Sequence, residues 1–444
     1  MRLAGLPAWD NPPGMGKVVP LDGRDRRRRA TRARDRLRRG GDKTALVLGG
    51  GGFTGGVYEI GALRALDLLA VNSTVNEFDV YVGTSAGAFV GSMVANGVTP
   101  EEMMRVLNKT LPSPIERPSL RTLLRPNYSG WTRRLGLLPF RAAAMVRHAA
   151  TNLGEVSMMD VATGLAEGLP TGMYHNRGIE KYMRDVLSDP DRGNDFRELD
   201  TELYLVATDL DTAERIVFGK GEWDDVPISQ AVAASGALPI VYEPYELRGR
   251  QLMDGGIAST TNVDIAVEAG AKFIVVVNPL VPFVNDFEKR IPTIFGSRAR
   301  RVSDMGVTAI ANQAFRLMAH ARLRLAVETW QRRFPDVDII LIEPEVDDEL
   351  MFGTSILDYS ARLKIARHGF ESVTRRLASD YDRYKEIAGR HGLEISARRV
   401  RKVLDTVEEQ ERGEVSAWRR VLEQTTGALL RQSDEADRAA GSER

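Results

Sequence analysis

The stretch Asp79-Val80-Tyr81-Val82-Gly83-Thr84-Ser85-Ala86-Gly87 constrains this chain more than any other. It reads as a buried strand that turns sharply into a helix, with a serine at the apex. Glycines two residues before and after Ser85 let the backbone make a tight strand-to-helix turn without a Cβ clash. Such a turn lifts the serine hydroxyl clear of the sheet and sets it near a helix N-terminus, where negative charge is favoured. Phe78, Val80 and Val82 lead in as a strand, and Ala86, Phe89, Val90, Met93 and Val94 follow at helical spacing. Pro100 with Glu101-Glu102 then opens another helix. A Gly-x-Ser-x-Gly pentapeptide alone is an ordinary βα turn. Flanked in this way, it makes Ser85 a candidate nucleophile and Gly83, Thr84, Ala86 and Gly87 its elbow.

A second glycine loop lies upstream. Thr44–Leu48 is a short apolar run fit for a central strand. It is followed by Gly49-Gly50-Gly51-Gly52-Phe53-Thr54-Gly55-Gly56 and by a helix with Val57, Ile60, Leu63, Leu66 and Leu69 on one stripe. Successive glycines present backbone N–H groups with no side chains in the way, a cradle for a phosphate or a developing oxyanion. Gly50, Gly52 and Gly55 also fit G-x-G-x-x-G, so a dinucleotide site is the rival reading. That reading needs an acidic residue at the end of the next strand, where this chain has Gly83-Thr84-Ser85, and no P-loop lysine is present.

The third piece is Asp254-Gly255-Gly256. The segments 241–247 and 251–253 flank Arg248-Gly249-Arg250 as a hairpin would, which puts Asp254 at the end of its second strand. An Asp-Gly pair at a strand end is usually only a turn. Here the two glycines would let the backbone pass close to another loop, as a carboxylate must if it is to reach Ser85 directly.

These three pieces, in this order, resemble the patatin-like phospholipase family. Leu203–Leu210 and Ala231–Pro239 resemble it too, and the likeness runs from about residue 43 to 280, with a weaker echo at Asp338–Pro344 and the helix after Asp358. The resemblance implies an α/β fold, a three-layer α/β/α sandwich with a mostly parallel central sheet. It implies hydrolysis of lipid acyl esters, as by a phospholipase, lysophospholipase or other lipid acyl hydrolase, through a Ser–Asp dyad and an acyl-enzyme. Ser85 carries over as nucleophile, Asp254 as base, Gly255 and Gly256 as the acid loop. The amides of Gly50, Gly51, Gly52, Phe53, Thr54 and Gly55 carry over as the oxyanion hole. No metal or organic cofactor is implied. The chain departs from the family at Thr54, where Arg or Lys is usual, and at Asn262-Val263-Asp264, where a proline two residues after the asparagine is usual. Thr54 is the only hint of a catalytically silent scaffold.

The chemistry of such a dyad can be built from its parts. A free serine needs a base within hydrogen-bond reach, and an exposed aspartate, with a pKa of about 4, is too weak near neutral pH. Burial would raise that value and improve Asp254 as an acceptor. The mechanistic rival is a Ser-His-Asp triad, whose histidine follows the acid in chain order. Only His320, His368 and His391 do so. His368 falls off its helix's apolar stripe, His320 and His391 sit among arginines, and His148 and His175 precede Asp254. His320, His368 and His391 read as solvated surface residues, and the other two are out of order for a triad.

Lys+Arg and Asp+Glu both number 61, so net charge points to no polyanionic partner, and cysteine is absent, which removes disulfides and thiolate metal sites. The N-terminus lacks the apolar core of a signal peptide, and the apolar runs are too short to span a bilayer, so the expectation is a cytoplasmic protein. Residues 24–39 hold ten arginines and two aspartates, in a tail expected over 1–42. This tail, or a cap, could make peripheral contact with anionic membrane. Nucleic acid is not expected, because no aromatics interleave with the arginines. A catalytic domain is expected over 43–385, with a cap-like helical insertion at 100–200. Prolines break the insertion at 112, 114, 118 and 126, and Trp131, Leu135 and Phe140 then mix with Arg133, Arg134 and Arg141. A charged helical extension ending in a polar tail is expected over 386–444. The sequence carries no signal of oligomeric state.

Overall fold

The computed structural model describes residues 41–108, 115, 118–130, 132, 136, 140, 143, 171–288, 290–293, 296–354 and 359–405. The arginine-rich run 24–39, Trp131, residues 144–170 of the expected cap with His148, and the C-terminal segment from 406 lie outside these.

The central sheet holds β1 (Thr44–Leu48), β2 (Val80–Thr84), β3 (Glu202–Asp209), β4 (Arg215–Phe218), β5 (Tyr245–Leu247), β6 (Arg250–Asp254), β7 (Phe273–Val277) and β8 (Asp338–Ile342). Its order is β8-β7-β1-β2-β3-β6-β5, with β4 also on β3. The five strands β8, β7, β1, β2 and β3 are parallel, while β4, β5 and β6 are added antiparallel. Every residue of β1, β2 and β7 is buried, which is why these strands read as unbroken apolar runs. The expected hairpin is β5–β6, and the expected return of residues 338–342 to the sheet is β8.

Alternate residues feed two cores. Leu46, Leu48, Tyr81 and Leu205 face one layer, built from α1 (Gly52–Leu69), α2 (Ala86–Ala95), α3 (Arg177–Leu187), α4 (Ile228–Ser235) and α7 (Arg362–Ser379). Val47, Val82, Val206 and Ile274 face the other, built from α5 (Val263–Glu268) and α6 (Val307–Arg333). The result is three layers, α/β/α. No helix among the described residues is long and apolar enough to cross a membrane.

One register detail positions everything that follows. β3 pairs with β4 through Leu205–Thr208 along one edge. Both β2, through Glu202–Val206, and β6, through Ala207–Asp209, must therefore use its other edge. Thr84 lies opposite Val206 and Asp254 opposite Ala207. The parallel strand and the antiparallel strand thus meet head to head on one edge of β3. β2 can leave the edge only by turning sharply at Ser85, and β6 ends at that same place.

Candidate functional site

Ser85 sits at the turn between β2 and α2 with φ 57 and ψ −120, and it is buried. A positive φ on a non-glycine residue is a strained conformation that the surroundings must hold. The flanking glycines are there because nothing larger fits. A Cβ on Gly83 would lie 2.6 Å from Ala88 Cα, and one on Gly87 would lie 2.3 Å from Leu48 O.

The glycine loop is locked to this elbow. Gly87 N–H donates to Gly49 O at 3.0 Å. Gly50 passes so close that a Cβ there would meet Ser85 Cβ at 3.3 Å. α1 begins at Gly52, its N-cap Gly51 offers no side-chain cap, and its first turn holds no acidic residue. The first-turn N–H groups of a helix have no partner inside the helix, so an anion-favouring end stands beside the serine. Thr54 is buried and turns its hydroxyl back onto Gly51 O at 3.4 Å. It braces the loop.

Asp254 closes the arrangement. Ser85 Oγ–H donates to Asp254 Oδ2 at 2.5 Å, and Gly256 N–H donates to Asp254 Oδ1 at 2.7 Å. A Cβ on Gly255 would lie 2.3 Å from Val206 O, so the glycine lets the acid loop press against β3. Burial pushes the Asp254 carboxyl up to about 6, against the lowering effect of those two hydrogen bonds.

The sequence reading named the serine, the glycine loop and the acid, and the fold brings all three together. It missed the groups that hold them. Ser235, at the end of α4 and fully buried, accepts from Ser85 N–H at 2.8 Å and donates to Val206 O at 2.6 Å. Two residues on, Ala237 O accepts from Asp254 N–H at 3.0 Å. One short segment therefore brackets the backbones of both Ser85 and Asp254. On the other face of the sheet, Asn262 Nδ2 donates to Thr84 Oγ1 at 2.9 Å, and Arg215 donates to Asn262 Oδ1 at 3.1 Å. Ser235 stands in the Ala231–Pro239 stretch, but a serine near a helix end gives no sign of such a role.

The histidines are engaged elsewhere. His368 pairs with Asp348, His175 with Glu243, and His320 Nε2 accepts from Arg324. His391 is buried between Asp42 and Asp338, at 2.8 Å from each. The reading of His368 and His391 as solvated surface residues is thereby corrected. His368 reads so by falling off its helix's apolar stripe and His391 by its arginine neighbours, while the carboxylate partners of both come from other elements. Among the described residues, no group of three or more His, Asp or Glu is placed to hold a metal ion.

Comparison with known proteins gives a consistent result. The family model described as patatin-like phospholipase matches residues 46–267. Patatin-like phospholipase domain-containing protein 7 of Mus musculus is 26% identical over 239 residues, which cover 54% of this chain and 14% of that protein. Patatin-like phospholipase domain-containing protein 6 of Homo sapiens is 29% identical over 239 residues, covering 54% of this chain and 13% of that protein. The probable lipid hydrolase 463L of Invertebrate iridescent virus 6 is 23% identical over 224 residues, covering 50% and 63%. The chain thus matches only a small part of the two mammalian relatives. Among solved structures, VipD from Legionella pneumophila aligns at TM-score 0.34 and 15% identity, over 76% of this chain and 67% of that one. Human GIVD cytosolic phospholipase A2, solved with methyl gamma-linolenyl fluorophosphonate, aligns at TM-score 0.29 and 11% identity, over 78% and 61%.

Proposed function

The chain belongs to the patatin-like phospholipase family, and on that premise we propose that it is a serine hydrolase of lipid acyl esters, with Ser85 as nucleophile and Asp254 as its base. The observation that carries this reading is the direct hydrogen bond from Ser85 Oγ to Asp254 Oδ2, made in a buried place beside an uncapped helix N-terminus. A carboxyl poised at about 6 is ionised at neutral pH, yet is a better proton acceptor than an exposed aspartate.

In the first step Ser85 Oγ bonds to the ester carbonyl carbon while its proton passes to Asp254. The carbonyl π pair moves onto oxygen. The Ser85 amide is already spent on Ser235 and the Gly55 amide on Gly51 O. Of the six loop amides expected to form the oxyanion hole Gly55 therefore drops out, and the charge falls to those of Gly50, Gly51, Gly52, Phe53 and Thr54. Losing one such donor typically costs about 3 kcal/mol of transition-state stabilisation. As the tetrahedral adduct collapses, the C–O bond to the alcohol breaks and Asp254 returns its proton to the departing oxygen. A water then repeats the sequence on the acyl-enzyme, with Asp254 taking its proton, and Ser85 is released. The glycine loop itself supplies backbone donors and no cationic side chain, since Thr54 stands where the family commonly has Arg or Lys.

The test is covalent labelling with a fluorophosphonate, alongside turnover of a panel of acyl esters and phospholipids. Labelling is expected in the wild type and absent in Ser85→Ala, whose turnover should fall by about 10^4-fold or more. Alanine at His320, His368 or His391 should leave labelling intact. Abolition of turnover by one of those three histidine changes would sink the dyad.

A further inference from the structure

We propose that the solvent face of α6 is a docking surface for an anionic lipid bilayer, placed beside the site so that the enzyme works on molecules still in the membrane. This rests on the reading of the site as a lipid hydrolase.

The helix is too long for the sheet it covers. Its 27 residues span roughly 40 Å, whereas the five-residue strands β7 and β8 span roughly 17 Å. Its C-terminal half packs on the sheet through Leu323 and Trp330. Its N-terminal half overhangs the carboxyl ends of the strands, where the site is. There Gln313 bonds both the N–H and the carbonyl of Phe283, and Arg316 donates to Val281 O, in the chain that follows β7.

The exposed side of that overhang, continued one turn into the C-terminal half, carries an apolar strip. Val307 (79% exposed), Ile310, Leu317, Met318 (59%) and Leu325 (66%) recur at helical spacing, and the alanines at 311, 314 and 321 fill the gaps between them. At about 100° per residue these eight positions fall within about a third of the circumference. The strip is bordered on its two sides by Arg322 and Arg324, both exposed. Val284 and Phe287, in the loop after β7, are also exposed. Arg322 donates to Ile257 O, three residues beyond Asp254, which ties the helix to the acid loop.

Charge selects the occupant. The chain as a whole is neutral, but from residue 305 to 327 the helix and its lead-in contain arginine and no acidic residue. A second copy laid along the strip from 307 to 325 would bring Arg322 and Arg324 against arginines, with no carboxylate in that stretch to meet them; Glu328 stands one turn beyond it. A bilayer with anionic headgroups offers an apolar interior for the strip and phosphates for its flanks.

The full chain should be tested by flotation with vesicles of phosphatidylcholine alone and of phosphatidylcholine with about a third phosphatidylglycerol. In parallel, turnover should be measured on a soluble short-chain ester and on phospholipid in the same vesicles. The wild type should float with the anionic vesicles and much less with the neutral ones. The double variant Ile310→Asp/Met318→Asp should lose at least about tenfold in binding and in vesicle turnover, with soluble-ester turnover within about twofold. Val307→Asp, at the far tip, should show the same pattern more weakly. Undiminished binding in both variants overturns the proposal. So does equal binding to neutral vesicles, and so does a concentration-dependent dimer that the double variant dissolves in light scattering. Absence of turnover on every ester would instead count against the hydrolase reading, because flotation is scored without catalysis.

Discussion

The two ends of the central sheet are built on opposite principles. At the amino ends of the parallel strands, charged and polar groups are paired across elements. Thr44 N–H and Oγ1 both donate to Asp79 Oδ2, at 2.8 and 2.9 Å. Lys43 pairs with Glu202, and His391 bridges Asp42 and Asp338, with Arg390 adding a second hold on Asp338. At the carboxyl ends the same chain holds a strained serine, an uncapped helix and a buried carboxyl at about 6. Glu59 belongs to this end as well. Its carboxyl is fully buried, and burial pushes it well above the usual range against the lowering effect of the nearby Gly49 N–H, which also donates to Val277 O. Strained and buried ionisable groups cost free energy. The strained serine and the buried carboxyls add their cost at this end, so the fold is held by the two apolar cores and by the paired charges of the other end, while this end is kept for chemistry.

The sharpest way to break that contrast is Asp254→Asn, which should act on activity and stability in opposite senses. Turnover should fall by about 10^3-fold or more, because the amide cannot take the Ser85 proton. Folding should be favoured. The folded carboxyl titrates near 6 against an ordinary 3.8, so folding binds a proton more tightly, and the wild type loses stability as pH rises from about 4 to 6. Above that window the full penalty is present, about 3 kcal/mol at most, and the asparagine escapes it. Denaturant melts at pH 7.5 and pH 4 read the effect. The variant should be the more stable protein at the higher pH and lose that advantage at the lower. The same group should make wild-type kcat/KM fall about tenfold per pH unit below 6. A flat profile down to pH 5 would remove Asp254 from the base role.

A smaller effect is expected at the bracket. Ser235→Ala leaves the buried Ser85 N–H without an acceptor and frees Val206 O, which should cost about 1–3 kcal/mol of stability. Turnover should fall by about ten- to a hundredfold through kcat, with KM little changed, since the bracket positions the nucleophile and does not touch the acyl chain. Ser235→Thr, which keeps the hydroxyl, should recover part of kcat if the buried site admits its methyl. Equal losses in both variants, matched by equal unfolding, would reduce Ser235 to a packing residue.

Which of these groups the sequence announced follows from how far each interaction reaches. β1, β2 and β7 are legible because a strand buried on both faces must be apolar throughout. Ser85, the glycine loop and Asp254 are legible because close backbone approach can be met only by glycine, and glycine leaves a spacing. The head-to-head meeting of β2 and β6 on one edge of β3 leaves none. It depends on register across 169 residues of separation between Ser85 and Asp254. Ser235 is an ordinary serine until its partners from two other strands are known. His391 misled for the same reason: its helix is polar, but the carboxylates that bury it lie 349 and 53 residues away. The strip on α6 is present in the sequence as a helical repeat, but only the fold shows that its apolar side is the one left outside.

The smallest effect on the reaction is expected from the amino end. His391→Ala removes the ring that joins Asp42 to Asp338 and leaves two carboxylates facing each other across the gap. The site is nearly closed to solvent on the histidine's side, so the loss should be about 1–3 kcal/mol, seen as a lower urea midpoint with an unchanged slope. Turnover per active serine, with active sites counted by fluorophosphonate titration, should stay within about twofold, and the acid limb of the pH profile should not move. Counting active sites matters here, because a destabilised enzyme loses bulk activity simply by having fewer folded molecules. A fall of tenfold per labelled serine would mean that strain at the elbow depends on the polar network at the opposite end of β2. The two ends would then have to be treated as one coupled device instead of a foundation and a working face.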